Sequence, residues 1–300
     1  MSKKGKKVKK VQKVQKHESM GVMASIWYEF KKSKSAIIGC ILLTIIIIVA
    51  LIAPLIYDYD EDIIKLNTEE RFQKPSAEHI LGTDQYGRDI LARIIYGARP
   101  SLGIGFASVA CVLIIACALG ITAGYYGGVT ENIIMRLCDV FASVPAILLA
   151  ICITAALGQG FFALVIAAAA ANIPRFAMIA RAAVITVRDQ EFIEASRASG
   201  ATDFYIILHH ILPNSLAPII VQATLRIGSA IVVASSLSFL GLGIPSPAPE
   251  WGGMLSEGRG FMLDYGYMTL FPGLAIMITV LAINLMGDGL RDAMDPKLKS

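Results

Sequence analysis

Across its 300 residues the chain is 55% hydrophobic and only 17% charged, where a soluble domain carries about 25% charged residues. The missing charge leaves long uncharged runs, and about 20 apolar residues are enough to cross a bilayer as a helix. An ordinary cytosolic enzyme, a disordered chain and a small secreted domain are excluded. The net charge of +4 conceals an asymmetry: eleven lysines lie within residues 1–34, and the rest of the chain is net negative.

In chain order, residues 1–34 read as a basic cytoplasmic tail. A basic tail suits nucleic acid in isolation. Directly before a membrane span it is expected to stay in the cytoplasm and meet anionic lipid. The first uncharged run, 35–57, is too long for a signal-peptide core and has no A-x-A site after it, so it reads as an uncleaved span. The outer segment that follows contains Asp84, placed to cap a helix. Beyond it Ile90, Leu91, Ile94 and Ile95 share one face, an amphipathic stripe suited to a membrane interface or a partner. The second span is 101–127, where Gly120 and Gly124, and again Gly124 and Gly128, are small residues four apart that allow close helix packing.

The uncharged run 140–174 overshoots a bilayer of about 30 Å as one helix. Gly158-Gln159-Gly160 breaks it into a hairpin, giving spans 133–157 and 161–185. Asp139, the acid deepest in an apolar stretch, follows Arg136 by three residues and is expected to pair with it locally. The fifth span, 214–243, contains Arg226, open to two readings: a pore contact or a side chain snorkelling to the interface. Residues 243–254 carry three prolines at alternate positions, which favours extended backbone, and Trp251, which suits an interfacial anchor. The sixth span is 265–287. The expected fold is all-α and polytopic, with residues 35–300 forming the transmembrane domain. Lysine and arginine placement puts both termini in the cytoplasm.

The cysteines Cys40, Cys111, Cys117, Cys138 and Cys152 lie in or beside apolar stretches without paired spacing, so no disulfide framework or zinc site is expected. The histidines occur in no H-E-x-x-H, and no G-x-S-x-G is present, so an intramembrane enzyme lacks its nucleophile and base.

The interval 189–212 is read as two short helices. Acids come early in the first, Gly200 ends it in the left-handed conformation, and Thr202 or Asp203 caps the second. Phe204, Ile207, Leu208 and Ile211 share a face, and Pro213 marks the break before the next span. Such a pair either transmits a push from a cytoplasmic partner or is a passive loop.

Glu194-Ala195-Ser196, then Gly200, then Leu212-Pro213 resembles the EAA motif of ABC importer permeases, with Ser196 for the second alanine and His210 where isoleucine is usual. His210 before Ile211-Leu212-Pro213, Gly82-Thr83-Asp84 with Gly87-Arg88-Asp89, and Phe239 to Gly243 with Pro245 and Trp251-Gly252 are similar to the oligopeptide, dipeptide and nickel branch. The resemblance implies a type I importer permease fold of six transmembrane helices in a bacterial or archaeal cell membrane. It implies that Glu194, Ala195, Ser196, Gly200, Leu212 and Pro213 couple the chain to an ATPase. Asp84, Gly87, Arg88, Asp89 and Trp251 are outer-loop or gate candidates, and Arg226 a pore candidate. The implied partners are a second homologous permease in a heterodimer, two ATPase subunits that use ATP and magnesium, an extracytoplasmic substrate-binding protein and the bilayer, without nucleic acid. The chain has no G-x-x-x-x-G-K-[ST] sequence and supplies neither the ATPase nor a cofactor site. Peptide uptake is the expected function. A nickel-chelate permease and an ion-gradient-driven secondary transporter are the alternatives.

Overall fold

The computed structural model describes residues 22–294. The described residues are mostly helical, and among them the one sheet-like pairing is an isolated bridge between Thr83 and Asp89. A short α1 (Val22–Phe30) turns through Lys31 and Lys32 into α2 (Lys34–Ile56), whose N-cap is Ser33. On α2 the residues Ala36, Gly39, Leu43, Ala50 and Ala53 are buried at helical spacing, whereas Ile38, Ile41, Ile45, Ile48 and Leu55 are exposed. The buried stripe packs on α12 (Tyr267–Met294). At Gly39 a Cβ would sit 2.6 Å from the Ala282 carbonyl oxygen, so the small residue sets the approach.

The organising element is α3 (Ile90–Tyr126), 37 residues long and therefore about 55 Å at 1.5 Å per residue. It extends well past the expected start at residue 101, with Pro100 inside it. The amphipathic segment is its first two turns, and its charged residues are not on a solvent face: Arg93 is 1% exposed. At the other end α3 meets α7 (Ile173–Arg188) at the predicted glycines. A Cβ on Gly120 would lie 2.5 Å from the Ala177 carbonyl oxygen, and one on Gly124 would lie 2.9 Å from Val184. Gly128 has open space around it and a φ of +55°, so it serves the chain reversal and not the packing.

The predicted third and fourth spans are both bent. Residues 128–157 form α4 (Gly128–Ser143) and α5 (Ala146–Leu157), which turn by 90° relative to one another. Pro145 lacks the N–H that would continue α4, and Val144 before it is extended at φ −83°, ψ 131°. The hairpin break falls where expected: Gly158 and Gly160 have φ of +86° and +134°, and the Gly160 N–H donates to Gly243 O at 3.1 Å. The return helix is α6 (Phe161–Ala170), followed after a 50° bend by α7. Asn172 covers that bend by donating to the Ala168 carbonyl.

After α8 (Glu191–Ala198), helical structure runs without a break from α9 (Asp203–Ile206) into α10 (Leu212–Leu237). Pro213 does not interrupt it. The preceding turn, Ile207–Ile211, widens to π geometry with the Leu212 N–H reaching Ile207 O, which accommodates the missing N–H at Pro213. Residues 238–242 form another π turn that leads to α11 (Trp251–Gly258). Counting each bent pair as one, up to six elements among the described residues are long and apolar enough to cross a membrane. Leu102, Val109, Val112 and Ala116 of α3 pack with Phe176 and Ala177 of α7 and with Ile227 and Ile231 of α10 in the main core.

Candidate functional site: a bracketed helix pair and a buried ionic cluster

At one end of the bundle, α8 and α9 are held against α3 and α7. Ile193, Ile206 and Ile211 are fully buried with Ile121, Tyr125 and Val184. The acids Glu191 and Glu194 occupy the first turn of α8, where the helix dipole favours negative charge. Its last turn closes when the Ala201 N–H reaches back to Ser196 O and the Gly200 N–H to Arg197 O. Gly200 sits at φ +84° with no atom within 4 Å of a would-be Cβ, so glycine is required for backbone conformation and not for space. The Thr202 side chain, rather than Asp203, caps the second helix by accepting from the Tyr205 N–H. Asp203 has another use. It accepts the Tyr125 hydroxyl at 2.7 Å, and that hydroxyl accepts from Arg197 at 3.3 Å. Tyr125 thus clamps α8 and α9 together across the turn. Between α7 and α8, the side-chain bond from Arg188 holds the Asp189 carboxyl below its ordinary range.

Glu194 and Ala195 are exposed, Ser196 half-buried, Leu212 half-buried against the isoleucine cluster, and Pro213 exposed. Phe192, Phe204, Tyr205 and Leu208 are also uncovered, Phe204 to 76%. The result is an anchored helix pair presenting aromatic surface that the described residues leave uncovered.

At the other end, the segment before α3 is locked to α11. Asp84 does not cap a helix: its carboxylate accepts from the Tyr86 and Arg88 backbone N–H groups and from Arg88 Nε at 2.6 Å. Asp89 is the N-cap of α3, accepting from the Ala92 N–H, and its other oxygen meets His79 Nδ1 at 2.9 Å. Arg88 and Arg93 both reach Glu257 of α11, at 2.7 and 3.3 Å, and Arg93 also donates to the Ile63 and Pro247 carbonyls. Gly87, at φ +77°, lies so close to Asn67 that a Cβ would sit 1.7 Å from its carbonyl oxygen. Trp251 is not an interfacial anchor. It is 2% exposed, its ring N–H donates to Ile94 O at 2.9 Å, and its backbone N–H donates to Ser101 Oγ. Glu250 caps α11 through the Gly252 and Gly253 N–H groups. Asp84, Gly87, Arg88, Asp89 and Trp251 therefore belong to one buried junction. Beside it opens a cavity of about 700 Å³ lined by Glu61, Asp62, Glu70, Glu78 and His79 among others.

Arg226 lies apart from both sites, half-buried in α10, and among the described residues no carboxylate forms an ion pair with it. Arg136 and Asp139 approach to 3.9 Å on an exposed face, the local pair their spacing suggested. The five cysteines are free.

Residues 116–300 match the family described as binding-protein-dependent transport system inner membrane component. The chain belongs to that family. Residues 22–75 match the N-terminal transmembrane domain of oligopeptide transport permease C. The chain is 50% identical to the dipeptide transport system permease protein of Alkalihalophilus pseudofirmus, over 91% of this chain and 89% of that one. It is 44% identical to the glutathione transport system permease protein of Pectobacterium atrosepticum, over 91% of each. A solved chain of the MetNI methionine ABC transporter superposes with a TM-score of 0.55, covering 68% of this chain and 97% of that one at 20% identity, a likeness of fold. The chain is thus an inner-membrane permease component of an ABC importer, not an enzyme by itself, and membership implies partnership with an ATPase and a substrate-binding protein.

Sequence reasoning missed Tyr125, Arg197, Glu250 and Glu257. Tyr125 had only its place at the end of a predicted span to mark it. Glu257 meets residues 164 and 169 positions away, so no local spacing signals it.

Proposed function

We propose that this chain forms half of the translocation pore of an ATP-driven peptide importer. A second, homologous permease completes the pore as a heterodimer, and two ATPase subunits consume ATP and magnesium. The chain itself binds no cofactor and no nucleic acid. Both termini face the cytoplasm. The observation that carries this reading is the helix pair: buried isoleucines and the Tyr125 clamp fix it to the spans, while Phe192, Phe204, Tyr205 and Glu194 stand uncovered. An ATPase that grips this surface moves α3, α7 and α10 with it, because the pair cannot slide independently of them.

In this reading Glu194, Ala195 and Ser196 lie at the ATPase contact, Gly200 fixes the angle between α8 and α9, and Leu212 with Pro213 joins the pair to α10. The junction built on Asp84, Arg88, Asp89 and Trp251 holds the outer face against the binding protein. Arg226 lines the pore, where an intramembrane cation with no acid partner among the described residues has reason to face a polar cavity. Peptide cargo follows from the dipeptide and glutathione systems named for the relatives. The test is to isolate the complex from membranes, identify its subunits, and measure ATP hydrolysis with the binding protein loaded with di- and tripeptides. Stimulation by peptide-loaded binding protein is expected; isolation of a complex lacking any ATPase would refute the reading.

A further inference from the structure

We infer that Glu70, Glu78 and His79 form a binding site for one divalent transition-metal ion, with zinc the cation that suits their chemistry. The ion is a structural tie, and the inference rests on neither the cargo nor the coupling. One ligand atom from each side chain lies within 4.8 Å of the other two. All three residues border the cavity of about 700 Å³ beside the buried junction. The site uses none of the cysteines.

His79 is the residue that points to a cation. Its side chain is 14% exposed, and its Nδ1 stands 2.9 Å from Asp89 Oδ2. A carboxylate has no proton to give, so Nδ1–H donates and the neutral ring carries its lone pair on Nε2. That nitrogen is buried and has no hydrogen-bond partner among the described residues, a state that buried polar atoms avoid. Glu70 Oε2 stands 3.5 Å from it, and two acceptors cannot satisfy each other. A metal ion between them satisfies both. Metal-bound histidines ordinarily donate their other N–H to a carboxylate, which fixes the ring and its tautomer; Asp89 holds His79 in that way.

Charge and geometry agree with this. The cavity lining carries five carboxylates and two cations, Lys65 and Arg88. Both cations are already engaged, Lys65 with Glu61 and Arg88 with Asp84 and Glu257. Among the described residues no lysine or arginine pairs with Glu70 or Glu78. Imidazole beside carboxylates selects zinc and its first-row neighbours, whereas magnesium and calcium take oxygen ligands. Zinc binds both donor types at about 2.0–2.2 Å, which sets the ligand atoms of a tetrahedral shell about 3.5 Å apart. Glu70 and His79 stand at that separation, and the exposed Glu78 side chain is free to close on the ion. The backbones that carry the ligands are pinned: the Thr83 hydroxyl donates to Glu70 O, and the Ser76 and Gly82 N–H groups donate to His79 O. Because Asp89 also caps α3, the ion would tie the segment 70–79 to the start of that helix.

The test is zinc binding by the intact complex in nanodiscs, stripped with EDTA and titrated with zinc against a chromophoric chelator. Wild type is expected to hold one more zinc per copy of this chain than a variant carrying both Glu70→Gln and Glu78→Gln, with elution as an intact complex the control for folding. Glu78→Gln alone, on an exposed side chain that folding does not need, should weaken that zinc by at least about tenfold. Asp89→Asn keeps a capping side chain but removes the charge behind His79, and should weaken it by about 10–100-fold. Millimolar magnesium or calcium should leave the zinc in place. Equal zinc in wild type and the double variant, or its displacement by magnesium or calcium, overturns the proposal. So does wild type that takes up no zinc at micromolar concentration, which would make His79 an imidazolium held between Glu70 and Asp89.

Discussion

Gly200 holds α8 and α9 at a fixed angle through a backbone conformation that costs a residue bearing a Cβ about 1–2 kcal/mol. Because open space surrounds it, the penalty is conformational. Gly200→Asn is therefore expected to keep most transport, and Gly200→Val to lose it while the complex assembles and binds ATP. Peptide uptake measured alongside ATP binding separates these outcomes; normal uptake by Gly200→Val would remove Gly200 from coupling. At the other end, Arg88→Ala strips the main cationic partner from Asp84 and from Glu257. Breaking a buried pair costs about 3–5 kcal/mol, so a clear fall in the melting temperature of the purified complex is expected, against little change for Arg136→Ala on its exposed pair. Gly200 was legible because its constraint is local: a left-handed residue two positions before a cap. Asp84 and Trp251 were not. Both were given surface roles that suit an isolated acid and an isolated tryptophan, and both are buried by elements far away in the chain.

Among the elements, two prolines show the limit of local reading. Pro145 separates α4 from α5 by 90°, whereas Pro213 sits inside continuous helix. The difference lies before each proline: Val144 takes extended backbone, and Leu212 stays helical because a π turn absorbs the lost hydrogen bond. Periodicity and hydropathy recover the apolar runs and the glycine hairpin, since those depend on composition within a few residues. They do not register that α3 begins eleven residues before the expected span, because the arginines that seemed to exclude it from the interior are neutralised by Glu257 and Asp84. Tyr125 makes the element-scale prediction. Tyr125→Phe keeps the ring among the isoleucines and removes the hydroxyl shared by Arg197 and Asp203, a loss of about 1.5–3 kcal/mol for a bond to a charged group. The expected result is ATP hydrolysis near the wild-type rate with reduced uptake per ATP. An unchanged ratio would mean the clamp does not transmit motion.

At the scale of the whole molecule, the chain separates two structural features by about the length of α3: a polar junction at one end and an uncovered helix pair at the other. Their proposed placement on opposite sides of the membrane is directly measurable. In a chain otherwise free of cysteine, Ser199→Cys is expected to react with an impermeant thiol reagent from the cytoplasmic side only, and Leu263→Cys from the outside only. The charge asymmetry of the sequence is the basis on which this topology is predicted, whereas the bracket that joins the helix pair to the spans required the fold. The central claim is that these two ends are coupled by ATP. The direct measurement is uptake of a labelled di- or tripeptide into proteoliposomes holding this chain, its partner permease and the ATPases. Uptake is predicted to require ATP and the loaded binding protein and to be indifferent to a proton ionophore; uptake driven by a proton gradient without ATP would contradict the account.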